Sequence, residues 1–186
     1  SNNKVVIAYR DVGNSDYGTA IVGTVSGTSI SFGTAVVYES AESDWNSITF
    51  DSNSNKVVIS YQDKGNSNYG TAIVGTVSGT SISFGTAVVY ESASVNYTSI
   101  TFDSNINKVI IAYEDIGNSE YGTFVIGTVS GTSISFGTPA VFNAGEILYS
   151  TINFDSNSKR SVICYEDVGN SQYGGAIVLE FESKLI

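Results

Sequence analysis

From residue 47 to residue 91, short runs rich in Ile, Val, Phe, Tyr and Thr alternate with clusters of Asp, Ser, Asn and Gly. Residues 47–50 (SITF) make a first β-rich run. Residues 51–55 (DSNSN) are side chains that bond their own backbone and favour a turn. Residues 56–61 (KVVISY) are apolar on both faces, with Val57, Ile59 and Tyr61 on one and Val58 and Ser60 on the other. That pattern predicts a strand buried on both sides. A polar loop at 63–70, a strand at 71–77, a tight turn at 78–80 and a longer strand at 81–91 follow. The reading is four strands, A to D in chain order, joined by hairpin connections.

The string YGTAIVGTVSGTSISFGTAVVYESA fills residues 17–41 and recurs letter for letter at 69–93. A third, altered copy starts at Tyr121, and a fourth breaks off after Gly174. A period of about 52 residues with four short strands fits one blade of a β-propeller. A β-solenoid, with shorter coils joined by bends, and a β-sandwich of repeated hairpins are the competing architectures. The expectation is an all-β chain, a β-propeller built from four-stranded antiparallel blades, about 3.5 to 4 of them. It forms one repeat domain with blade repeats at 1–46, 47–98, 99–150 and 151–186. The chain reads as B, C and D of one blade, two whole blades, then A, B and a C-like strand from Ala176. Free edges at both ends invite pairing with another chain, so a homo-oligomer or a larger chain or assembly is expected. The closing segment GAIVLEFESKLI alternates apolar and charged residues, as an edge or capping strand does.

Composition narrows the function classes. Eight Lys plus Arg against eighteen Asp plus Glu give a net charge of -10, which argues against nucleic acid and anionic membrane surfaces as partners. No apolar run of ~20 residues is present to insert into a bilayer. Without histidine no Ser-His-Asp set is possible. The lone cysteine, Cys164, aligns with Ala8, Ser60 and Ala112 and reads as a small buried strand residue. Because the sequence opens on Ser1, a processed, trimmed or partly seen product is expected.

Comparing the copies shows where the chain departs from itself. The C–D turn SGTS is unchanged in the three copies that carry it. Differences gather in the B–C loop, at Arg10, Gln62, Glu114 and Glu166, and in the D–A loop, where AESDWN, ASVNYT and AGEILY stand in equivalent places. In a propeller both loops emerge on one face, the candidate face for recognition. There Trp45, Tyr97 and Tyr149 put one aromatic per blade, able to stack on a sugar ring. Asp44, Asn46 and Asn96 supply hydrogen bonds beside them. The plainer alternative has these rings pack between neighbouring blades.

The motif D-x-G-N-S-x-Y-G occurs four times, opening at Asp11, Asp63, Asp115 and Asp167. It reads as turn chemistry, with Asp capping backbone N–H groups and Gly13 and its counterparts taking positive φ. It loosely resembles the Asp box of sialidase propellers but lacks the Trp and lies between B and C rather than C and D. Residues 51–55 and 103–107 open like a calcium loop, yet Lys56 and Lys108 stand where such a loop needs Gly, so a hairpin turn is expected. The carboxylates recur in like environments, whereas glycoside hydrolysis needs two unlike ones. No catalytic residue, metal or cofactor is therefore expected, and the chain is read as a non-enzyme.

The string NKVVIxYxDxGNSxYGTAIVGTVSGTSISFGT resembles near-identical tandem repeats of predicted β-propeller proteins of bacteria and marine bacteriophages. The resemblance covers nearly the whole chain and implies an extracellular or virion-surface protein. The expected function is recognition or adhesion, with a cell-surface glycan or protein as partner, bound through the variable loop face. The alternative is a structural assembly protein, a virion decoration, fibre or filament built through open strand edges.

Overall fold

The computed structural model describes residues 3–181. Among them the chain is all β apart from four single-turn 3₁₀ segments. The strands are β1 (Lys4–Asp11), β2 (Tyr17–Ser26), β3 (Ser29–Phe32), β4 (Val36–Asp51), β5 (Lys56–Asp63), β6 (Tyr69–Ser78) and β7 (Ser81–Phe84). They continue as β8 (Val88–Asp103), β9 (Lys108–Asp115), β10 (Tyr121–Ser130), β11 (Ser133–Phe136), β12 (Ala140–Asp155), β13 (Arg160–Asp167) and β14 (Tyr173–Leu179). All pairings are antiparallel. They link the strands into one 14-stranded network along the path β1-β2-β4-β5-β6-β8-β9-β10-β12-β13-β14, with β3, β7 and β11 held off it on β2, β6 and β10.

Strands A, B and C lie where the alternation puts them. The fourth does not run unbroken. It splits at residues 85–87 into β7 and the start of β8, and the second piece continues straight into the next repeat's A strand. The D–A connection expected as a loop is therefore the middle of a 16-residue strand. That strand pairs first with β6 and then, from Val95 on, with β9, in a ladder that shifts register between Asn96 and Ser99. A Cβ on Gly33 would lie 2.0 Å from the Thr80 carbonyl oxygen, and one on Gly85 1.9 Å from that of Thr132. The C–D turns of the second and third repeats thus sit on the bare backbone at the first two breaks, while the equivalent break at 137–139 forms without such a contact among the described residues.

The path folds into four sheet units that pack face to face, and the core lies between them. Ala20 and Tyr38 of the first unit meet Ile59, Tyr61 and Ile73 of the second. Val58, Val74 and Tyr90 of the second meet Ile100, Ile111 and Tyr113 of the third. Ile110 and Ala112 of the third meet Ile152 and Ile163 of the last. Aromatic contacts repeat with the units: Tyr38–Tyr61 at 5.3 Å, Tyr90–Tyr113 at 5.2 Å and Phe142–Tyr165 at 5.3 Å between ring centroids. β5 and β9 are accordingly buried on both faces, whereas β1 is covered on one side only. Cys164 shows the same end effect. Its counterparts Ser60 and Ala112 are buried, but Cys164 is exposed on the outer side of the last unit, contrary to the burial expected from the alignment.

Candidate functional site

Each B–C connection is a 3₁₀ turn, and it closes differently from the expectation. Gly13 and its counterparts do not take positive φ; Ser15 and Asp16, and the matching pairs 67–68, 119–120 and 171–172, do. The glycine is needed for approach instead, since a Cβ on Gly65 would lie 2.6 Å from that of Ala41 and one on Gly117 2.4 Å from that of Ala93. Asp63 and Asp115 accept from the N–H of Asn66 and Asn118, at 3.1 and 3.2 Å. Burial raises both carboxyls above the usual range, those bonds offsetting part of the effect. The Asp51 turn is hydrogen-bonded likewise, with Oδ1 accepting from Asn53 N at 2.9 Å and Ser54 N at 3.1 Å.

The variable positions of the B–C and D–A segments come together at one edge of the molecule. The carbonyls of Asp16, Asn68 and Glu120 accept from the N–H groups of Ser43, Val95 and Ile147, tying each B–C turn to the long strand that follows. At the first junction Arg10 bonds Asp16 at 2.9 Å, Asp44 at 2.7 Å and Glu42 at 3.0 Å, while Lys64 reaches Asp44 at 3.3 Å. At the second, Gln62 Nε2 donates to the Val95 carbonyl and to Asn96 Oδ1, and Asn96 Nδ2 donates to Glu114 Oε2 at 2.8 Å. Gln62 Oε1 is buried with no partner among the described residues. Positions that differ between repeats therefore pair with one another, each junction carrying its own polar set. Asn46 is folded inward: Tyr38 donates to its Oδ1 at 2.6 Å, and its Nδ2 donates to the Ser43 carbonyl at 3.0 Å. Glu166 lies opposite Leu148 in the ladder, half-buried.

The three aromatics form a continuous row. Trp45 and Tyr97 lie 4.4 Å apart between ring centroids at an interplanar angle of 53°, and Tyr97 and Tyr149 5.0 Å apart at 56°. Trp45 and Tyr149 stay exposed, and Tyr97 is half-buried between them. Each has positive φ, 52°, 50° and 50°, a strained conformation for a bulky residue. The strain turns the backbone carbonyls toward the next unit. The Thr98 hydroxyl donates to Trp45 O at 2.7 Å, and the Ser150 hydroxyl to Tyr97 O at 2.6 Å. These hydroxyls, together with Ser47 and Ser99, whose Oγ atoms accept from Ile100 N and Ile152 N, are the linking residues that sequence reasoning missed. Their only signal is a small polar residue recurring just after each aromatic. Packing between units and display at the surface, posed as alternatives for these rings, occur together.

Carboxylates surround the row. Glu114 is pushed up to about 7, by burial first and then by Glu120 and Glu146, with the Asn96 bond opposing. The Tyr97 phenol is raised by burial and by the charges of Glu114, Glu166 and Glu146. The edge thus offers tilted aromatic surface, carboxyl acceptors and one cation cluster at Arg10. No protein-family model matches the chain, and no curated protein matches it. No helix among the described residues is long and apolar enough to cross a membrane.

Proposed function

We propose that the four units are blades of a β-propeller and that the chain is a non-enzymatic recognition or adhesion protein of a cell or virion surface. It binds glycan through the edge where the B–C turns and the D–A segments meet. The observation that carries this reading is the row Trp45–Tyr97–Tyr149, held in strained backbone with its end rings exposed. Stacking of apolar sugar faces on such rings, with Asp44 and Glu166 as acceptors, is the chemistry the edge offers. The resemblance of the repeat to those of surface proteins points the same way. A glycan array read with the native chain, Trp45→Ala and Tyr97→Ala tests it. Binding by the native chain that falls about tenfold or more in both variants is expected. No binding, or binding unchanged by both substitutions, would remove the glycan from the proposal.

A structural assembly role is the second reading, favoured by the apolar outer side of the first unit. Ile7 and Ile30 are 41% and 43% exposed, whereas Ile59 and Ile82 in the next unit are 0% and 5%. Light scattering that yields an open-ended series of particle sizes is its expected signature.

A further inference from the structure

We infer that the junction between the third and fourth units is a docking site for an arginine side chain presented by a partner protein. The inference is independent of the glycan reading, since it uses neither a sugar nor the exposed end rings of the row. It starts from a comparison of junctions. In the first, the Arg10 guanidinium is held by Asp16, Glu42 and Asp44, and Lys64 adds a second cation beside Asp44. In the third, the repeat puts Glu114, Glu120, Glu146 and Leu148 at the positions of Arg10, Asp16, Glu42 and Asp44, and Val168 at that of Lys64. Two of the acids that grip the guanidinium are retained, and both cations are replaced.

The two junctions share one backbone frame. Asp16 O accepts from Ser43 N at 3.2 Å, and Glu120 O from Ile147 N at 3.3 Å. Tyr17 stands opposite Glu42 in its ladder, as Tyr121 does opposite Glu146. Glu120 and Glu146 therefore spring from the backbone sites from which Asp16 and Glu42 reach a guanidinium. Glu114 lies beside them and is only 3% exposed. Its Oε2 accepts from Asn96 Nδ2 at 2.8 Å, while its Oε1 meets no donor among the described residues. The charges of Glu120 and Glu146 add to burial in raising its carboxyl, and Glu114 and Glu146 act likewise on the Tyr97 phenol. A buried carboxylate oxygen without a donor, beside two more carboxylates, is an unfavourable arrangement that an incoming cation relieves. Guanidinium suits it best. Its planar fork of five N–H donors serves several carboxylates at once, as Arg10 does, and its face stacks on a tyrosine ring, whereas an ammonium is a point charge. Both arginines of this sequence are already paired, Arg10 in the first junction and Arg160 with Glu180, so the incoming side chain belongs to another protein.

The test is an NMR titration of the intact chain with the peptide acetyl-Gly-Arg-Gly-amide and with its citrulline counterpart, which keeps the shape and lacks the charge. Saturable shifts centred on the amides of Glu114, Glu120, Glu146 and Leu148 are expected, with binding about tenfold or more weaker for citrulline. The double variant Glu120→Gln/Glu146→Gln should lose binding to a similar extent. Neither of those side chains is buried, and an otherwise unchanged spectrum reports that the variant is folded. Equal affinity for the two peptides, shifts centred elsewhere, or full binding by the folded variant overturns the proposal. So does a lysine peptide that binds as tightly as the arginine one, because a point charge would then suffice.

Discussion

Tyr38, Tyr90 and Phe142 occupy one position in three junctions, and each finds a different answer for its para substituent. Tyr38 gives its hydroxyl hydrogen to Asn46. Tyr90 faces Thr98 in place of asparagine, and its hydroxyl is buried with no partner among the described residues. The third copy has dispensed with the hydroxyl altogether. A buried unpaired hydroxyl costs more than it contributes, whereas a satisfied one contributes about 1 kcal/mol. Tyr90→Phe should therefore leave the urea midpoint unchanged or raise it, and Tyr38→Phe should lower stability by about 1 kcal/mol. Glu114 supplies a second test at this scale. Its folded-state pKa, about 7, lies above the ordinary glutamate value, so the folded chain binds the proton more tightly than the unfolded one. The resulting stability is full at acid pH and is lost as pH rises through about 7. Burial raises Glu39, Glu91, Asp63 and Asp115 in the same direction. Urea unfolding should give a lower stability at pH 8 than at pH 5. Glu114→Gln, which keeps the shape and removes the titrating proton, should flatten that dependence.

At the scale of elements, the long strands β4, β8 and β12 are the device that joins units. Each serves two sheets, changing partners after Glu42, Ser94 or Glu146, and the bulge at Trp45, Tyr97 or Tyr149 lies just beyond, within the ladder to the next B strand. The breaks at Gly33 and Gly85 make room for the following turn, and they are testable against a third glycine. Gly85→Ala drives a Cβ into the Thr132 backbone, which cannot yield as a side-chain tip can, and should cost about 3 kcal/mol. Gly137→Ala meets only the Ile126 carbonyl oxygen, at 3.8 Å, and should change stability by less than about 0.5 kcal/mol. Thermal denaturation of the two variants separates the outcomes. The existence and order of strands were legible because period-two alternation reports burial directly. The close approach at Gly85 was not, because the Thr132 carbonyl that makes it belongs to the next unit.

For the whole molecule, stability is a matter of neighbours. A unit covered on both sides buries its B strand completely, as β5 and β9 do, while the outer units each leave one face open. Stacked repeats of this kind draw much of their stability from interfaces with adjacent copies. Native-state hydrogen exchange should therefore be slowest in β5 and β9 and faster by tenfold or more, as an order-of-magnitude estimate, in β1 and β14. Uniform protection across all four units would contradict this account. The same logic explains Cys164: a residue type aligned with buried positions becomes exposed because it stands on an end face.

The sequence by itself determined the repeat, the all-β class, the chain order of strands A to C and the double-sided burial of the inner B strands, β5 and β9. Those depend on local alternation and turn chemistry, which each copy carries within its own residues. Only the tertiary structure decided that Arg10 belongs to Asp44 and Gln62 to Asn96, and that Trp45, Tyr97 and Tyr149 form one row. These pairings join residues of different repeats, brought together by unit-on-unit packing. A variable position looks free in an alignment of copies because its partner varies with it, one unit away.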